Sequence, residues 1–209
     1  MAVLMPLAEA GEREAQRRLG RIYRKGLVGP PDLEKALHWY ERAASQSDAI
    51  AQRITGVMYR NGEGTKKNYS KARMWLNAGA SQRDRRSISL LGSMYYCGFG
   101  VKKDHKKAYE HFLEAADLGD AYAAGMTGWY NDSGLIGNRD LDLAVKYLTL
   151  GTELGDAHSY LNLGRMYWAG RGVIKNLRHA RDLIQRSADL GDREAIAFIA
   201  ARREEKDWD

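Results

Sequence analysis

Gly-x-Gly strings at 62–64, 98–100 and 170–172 are the first residues that suggest chemistry, since backbone amides without side chains can cradle a phosphate. None runs on into the Gly-Lys-Ser/Thr ending that a phosphate loop needs. The five histidines, His38, His105, His111, His158 and His179, show no paired metal-ligand spacing, so no metal and no cofactor is expected. Glu110 and Glu114 stand one helical turn apart, as an acid–base pair would, but they fit a surface stripe better. Cys97 is the only cysteine, which excludes an intramolecular disulfide and leaves the redox compartment open. The sequons Asn68-Tyr69-Ser70 and Asn131-Asp132-Ser133 carry no weight without a secretory context. No catalytic residue is identified, and an enzyme is not expected.

Charge suggests binding instead. The chain of 209 residues has a net charge of +6, unevenly placed: residues 1–86 hold 17 Lys/Arg against 9 Asp/Glu, whereas residues 87–209 hold 16 against 18. Such a basic half attracts acidic peptides, anionic lipid or nucleic acid, although charge of this size also serves solubility. No apolar run approaches the ~20 residues of a membrane span. The segment from Met1 to Ala8 is apolar but too short for a complete signal peptide.

The elements that must position these residues repeat. Gly20, Gly56, Gly92, Gly128 and Gly164 are spaced by 36 residues, as are Gly26, Gly62, Gly98, Gly134 and Gly170. Ala36, Ala72, Ala108, Ala144 and Ala180 follow in the same frame. A fixed period of this length marks stacked supersecondary units that bury their apolar faces on their neighbours. The frame gives repeats at 13–48, 49–84, 85–120, 121–156 and 157–192. Residues 1–12 match the second helix of a preceding repeat, which implies an array that begins further upstream. Residues 193–209 match only a first helix, Arg193 to about Lys206, and its Arg202, Arg203, Glu204 and Glu205 suit a polar cap.

Each repeat reads as two helices. In the third, Ser87, Leu91 and Met94 share one helical face, and Gly98 ends the helix in the left-handed conformation. Asp32, Asn68, Asp104, Asp140 and Asn176 stand where the second helix needs an N-cap. That helix buries residues such as Ala108, Phe112, Ala115 and Ala116. Two repeats depart from the pattern. Repeat one has Val28 in place of the second loop glycine. Repeat four has Ile136 there, and Asn131 in place of the tyrosine with Tyr130 one place early, so looser packing is expected in repeat four.

The string Leu163-Gly164-Arg165-Met166-Tyr167-Trp168-Ala169-Gly170-Arg171-Gly172-Val173, followed by Ala180, resembles the Sel1-like repeat family, relatives of tetratricopeptide repeats with a longer inter-helix loop. The resemblance spans essentially the whole chain. It implies an all-α fold, a right-handed solenoid of paired antiparallel helices. It also implies a non-enzymatic scaffold or adaptor that holds a partner protein in its concave groove. Bacterial relatives serve in envelope assembly, signalling, host interaction or neutralisation of toxic effectors, so periplasm and cytoplasm both stay open.

In related repeats the first helix lines the groove. Carrying over its outward positions gives Glu14, Arg17, Arg21 and Arg24, then Ile50, Arg53, Val57 and Arg60, then Arg86, Ser89, Ser93 and Tyr96. Repeats four and five give Tyr122, Gly125, Trp129 and Asp132, and His158, Leu161, Arg165 and Trp168. The expected partner-binding residues are Arg17, Arg21, Arg24, Arg53 and Arg60 as carboxylate partners and Tyr96, Trp129 and Trp168 as apolar anchors. The expected partner is an acidic protein segment. Two other classes compete. Some relatives with paired cysteines have been proposed to bind or hydrolyse β-lactams, but Cys97 alone cannot form that bridge. Helical repeats can also read RNA through polar residues recurring at one position; here residues 17, 53, 89, 125 and 161 run Arg, Arg, Ser, Gly, Leu, which favours a protein partner.

Overall fold

Local signals dictate the helices. Asp32, Asn68, Asp104, Asp140 and Asn176 each accept a hydrogen bond from the backbone N–H three residues on, and Asp48, Asp84, Asp120 and Asp156 do the same for the first helices. Gly26, Gly62, Gly98, Gly134 and Gly170 all cap their helices in the left-handed conformation; Gly98 has φ 78°.

The computed structural model describes residues 1–204. The expected continuation of the last helix through Glu205 and Lys206 lies outside the described residues. Twelve helices are present among the described residues and no strand: α1 Leu4–Glu9, α2 Arg13–Lys25, α3 Leu33–Ser45, α4 Ala49–Asn61, α5 Tyr69–Ser81, α6 Arg85–Cys97, α7 His105–Asp117, α8 Ala121–Ser133, α9 Leu141–Glu153, α10 Ala157–Ala169, α11 Leu177–Asp189 and α12 Arg193–Glu204. None of these is long and apolar enough to cross a membrane.

The helices fall into two compact units, residues 1–103 with α1–α6 and the chain from Asp104 with α7–α12. Within each unit every helix packs on the next along the chain. In unit 1 a core of Ala36, Leu37, Tyr40, Met58, Leu76 and Met94 joins successive pairs. In unit 2 Leu148, Leu163 and Met166 form one cluster, and Leu161, Ile184, Ala195 and Ile199 another beneath α12. The frame glycine of α4 shows why small residues recur: a Cβ on Gly56 would sit 2.7 Å from Leu76.

The irregular repeats have local explanations. Val28 is 65 % exposed, so its side chain is accommodated in the open. At the matching place in repeat two a Cβ on Gly64 would strike the Leu33 carbonyl oxygen at 2.1 Å. Repeat four is not loose, contrary to the expectation from its displaced tyrosine. Tyr130 is fully buried, where the neighbouring repeats carry Met94 and Met166, and its hydroxyl meets His105 Nδ1 at 2.9 Å. Asn131 turns back to donate to the Thr127 carbonyl at 2.9 Å, which satisfies a buried amide.

Candidate partner-binding face

The first-helix positions expected to face outward divide into columns with different surroundings. Residues 14, 50, 86, 122 and 158 are all exposed. The column of Arg17, Arg53, Ser89, Gly125 and Leu161 is not an outer surface. Ser89 is 5 % and Leu161 1 % exposed, Gly125 is buried, and both arginines are half-buried. The apolar stripe of a helix packed on two sides is wide, and this column lies at its edge.

In unit 1 that column reaches the N-cap of the following repeat. Arg17 Nε donates to Asp48 Oδ2 at 3.1 Å. Arg53 Nε stands 3.1 Å from Asp84 Oδ2 but off the N–H axis, so it forms an ion pair and no directed hydrogen bond. Each aspartate also caps its own helix, α4 or α6. Arg17 and Arg53 are therefore ties between repeats before they are anything else. In unit 2 the aspartate that caps α12, Asp192, is instead contacted by His158 Nδ1. Burial of Asp192 opposes its ionisation. The Ala195 N–H and His158 outweigh that and hold its carboxyl below the usual carboxylate value.

Arg24 is also engaged. Its Nε and Nη2 both reach Glu63 Oε2, at 2.9 and 2.8 Å. Three repeats further on, in unit 2, the same two positions hold Asp132 and Arg171, paired at 3.1 Å with the charges exchanged. The geometry thus calls for opposite charges and is indifferent to which side carries which. Arg60 donates to the Asn61 side chain at 3.1 Å. Of the five expected arginines, Arg21 alone has no hydrogen bond or ion pair among the described residues, and it is exposed.

The expected aromatics sit in different settings. Tyr96, half-buried, has the Lys103 ammonium 5.5 Å from its ring centre. Trp129, half-buried, packs edge-on against Tyr130 with centroids 5.0 Å apart. Trp168 helps hold the last helix: Phe198 meets it edge-on at 5.7 Å and Arg202 lies 5.8 Å from its ring centre.

What the sequence reading missed is an open cavity of about 640 Å³ in unit 1. Leu4, Ile22, Leu27, Ile50, Ile54 and Tyr40 supply apolar walls, and Glu14, Arg17, Arg18 and Arg21 supply charge. Arg18 is bound to Glu14. The charge excess at the cavity therefore resides on Arg21. A cavity of this size, mostly apolar with a few polar groups, has the make-up of a binding site. Among the described residues no group of His, Cys, Asp and Glu could hold a metal ion.

The Sel1 repeat model matches residues 13–48, 49–84, 86–120, 121–156 and 157–192. The chain belongs to the Sel1 repeat family. A Sel1 repeat protein from Oxalobacter formigenes is 28 % identical with a TM-score of 0.86, over 92 % of this chain and 79 % of that one. A protective antigen present in uropathogenic Escherichia coli strains is 25 % identical at a TM-score of 0.51, and the match covers 96 % of this chain but 51 % of that protein. An immunity protein from Pseudomonas aeruginosa shares the fold at 20 % identity and a TM-score of 0.61, over 90 % of this chain and 68 % of that one. No curated protein sequence matches the chain.

Proposed function

We propose that this Sel1 repeat protein is a non-enzymatic scaffold that binds a partner protein on its first-helix faces, and that unit 1 receives an acidic segment. Arg21 is the carboxylate partner. Arg17, Arg24, Arg53 and Arg60 are secondary contacts, the first three already ion-paired within the chain, and Tyr96, Trp129 and Trp168 are apolar anchors on their own units. The observation that carries this reading is an exposed, unpaired Arg21 beside an apolar cavity, in a cluster where the other arginines are already engaged. A guanidinium without a carboxylate of its own is the group with most to gain from one on a partner. Immunity proteins and a protective antigen share this fold, and fold alone does not select among partners.

The test is affinity capture with the intact chain, with Arg21→Glu, and with Arg139→Glu as an exposed control in repeat four. Arg21→Glu should abolish capture and leave the melting temperature in place, and Arg139→Glu should change neither. If Arg139→Glu weakens capture as much as Arg21→Glu, attraction is diffuse and the face has no special role.

A further inference from the structure

Tyr40 breaks a column. The same frame position is Leu76, Phe112, Leu148 and Ile184 in the other repeats, all fully buried. Only repeat one places a hydroxyl there, on a residue 2 % exposed, and no side chain hydrogen-bonds it among the described residues. The base of its ring lies on Gly20, where an added Cβ would come within 2.8 Å. Tyr40 also lines the cavity, together with Ile22, Ile50, Ile54 and Arg21. Burial raises the phenol's pKa above 10, against the opposing pull of Arg24, Arg21, Arg17 and Arg53. At neutral pH it is a hydrogen-bond donor.

We infer that the cavity seats a large apolar side chain of the acidic partner segment, while the Tyr40 hydroxyl and the Arg21 guanidinium together hold a flanking side-chain carboxylate. This rests on the reading that unit 1 binds an acidic segment, and adds that acidity alone is not enough. Charge complementarity selects the carboxylate, since Arg21 is the unpaired charge at the opening. The apolar walls select its neighbour: Ile50 is 42 % exposed at the cavity, and a small inorganic anion would leave that surface in water. A hydroxyl at a position that is otherwise apolar gives the site a donor inside as well as a cation outside.

The experiment uses two end-blocked, fluorescently labelled peptides, each with three glutamates on either side of a central phenylalanine or serine, so that every carboxylate is a side chain. Anisotropy titrations with the full chain should show the phenylalanine peptide binding at least about tenfold tighter than the serine peptide. Tyr40→Phe should weaken the phenylalanine peptide by about tenfold, as loss of a hydrogen bond to a charged group does. That variant reproduces the side chain of Phe112 at the same frame position, so an unchanged melting curve serves as its folding control. Ile50→Glu, at an already exposed site, should erase the preference for phenylalanine. Equal binding of both peptides, lost in Arg21→Glu, would overturn the cavity inference and leave the acidic-face reading standing. Binding of neither peptide would overturn both. A phenylalanine preference indifferent to Tyr40→Phe and Ile50→Glu would place the peptide elsewhere and overturn the inference as well.

Discussion

Exchanging the charges of Arg24 and Glu63 should be nearly harmless, although either change alone should be costly. Unit 2 already carries the exchanged version, Asp132 with Arg171, at the same frame positions. Arg24 and Glu63 are 33 % and 24 % exposed at their side chains, intermediate between a surface pair and a buried one. Surface pairs contribute roughly 0–1 kcal/mol and broken buried pairs cost about 3–5 kcal/mol, so the lost pair sits near 1.5 kcal/mol. Each single change, Arg24→Asp or Glu63→Arg, also sets like charges face to face, which raises its cost to about 2 kcal/mol. Independent effects would make the double variant about 4 kcal/mol less stable. The swap instead predicts a loss below about 1 kcal/mol, hence a coupling energy of about 3 kcal/mol. Urea denaturation of the four proteins by circular dichroism measures this, with amide exchange in α2 and α4 as a local readout, because a repeat array can open in parts. A double variant as unstable as the sum of its singles would refute the claim that the position needs opposite charges and nothing more.

Other outcomes follow from single backbone and titration sites. Ser47 and Arg83 have φ of 61° and 59° at the position where later repeats place Gly119, Gly155 and Gly191. Arg83→Gly should therefore raise stability by about 0.5–1 kcal/mol in thermal melts, since the left-handed strain exceeds the entropy cost of glycine. Gly98→Val, at φ 78°, should lower stability by more than ~1 kcal/mol. Burial, then the hydrogen bond to Asp117, pushes the Tyr147 phenol up to about 12. Its contribution to stability is complete below pH 10 and lost as pH rises toward 12. The stability difference between the natural chain and Tyr147→Phe should shrink across that interval.

Helix ends were legible because capping is local chemistry: Asp32, Asn68 and Gly98 act on backbone groups within a few residues of themselves. Contacts between repeats were not. The Arg17–Asp48 and Arg53–Asp84 pairs join residues 31 apart, so a helical wheel of one repeat displays the arginines as outward-facing. The signal lay in comparing repeats: arginine at 17 and 53 coincides with an aspartate that caps the first helix of the next repeat, and 24 with 63 mirrors 132 with 171 in charge. Tyr130 misled for a related reason. Its one-place shift looked like a defect, yet it moves the ring into a core position held by methionine elsewhere. Tyr40 was readable as the one polar-ended residue in the column of Leu76, Phe112, Leu148 and Ile184, but its significance depends on a cavity that only packing creates. Trp168 was expected as a groove anchor, and what the single repeat could not reveal is that α12 packs against its ring.

Site-specific photocrosslinking tests the central claim most directly. A benzophenone amino acid at position 50, beside the cavity, and another at position 114, on the exposed side of second helix α7, would be irradiated with the captured partner. The prediction is a crosslink from position 50 to a partner segment with carboxylates flanking a large apolar residue, suppressed by Arg21→Glu, and none from position 114. Crosslinking from position 114 with none from position 50 would contradict the assignment of the first-helix face of unit 1 as the binding surface.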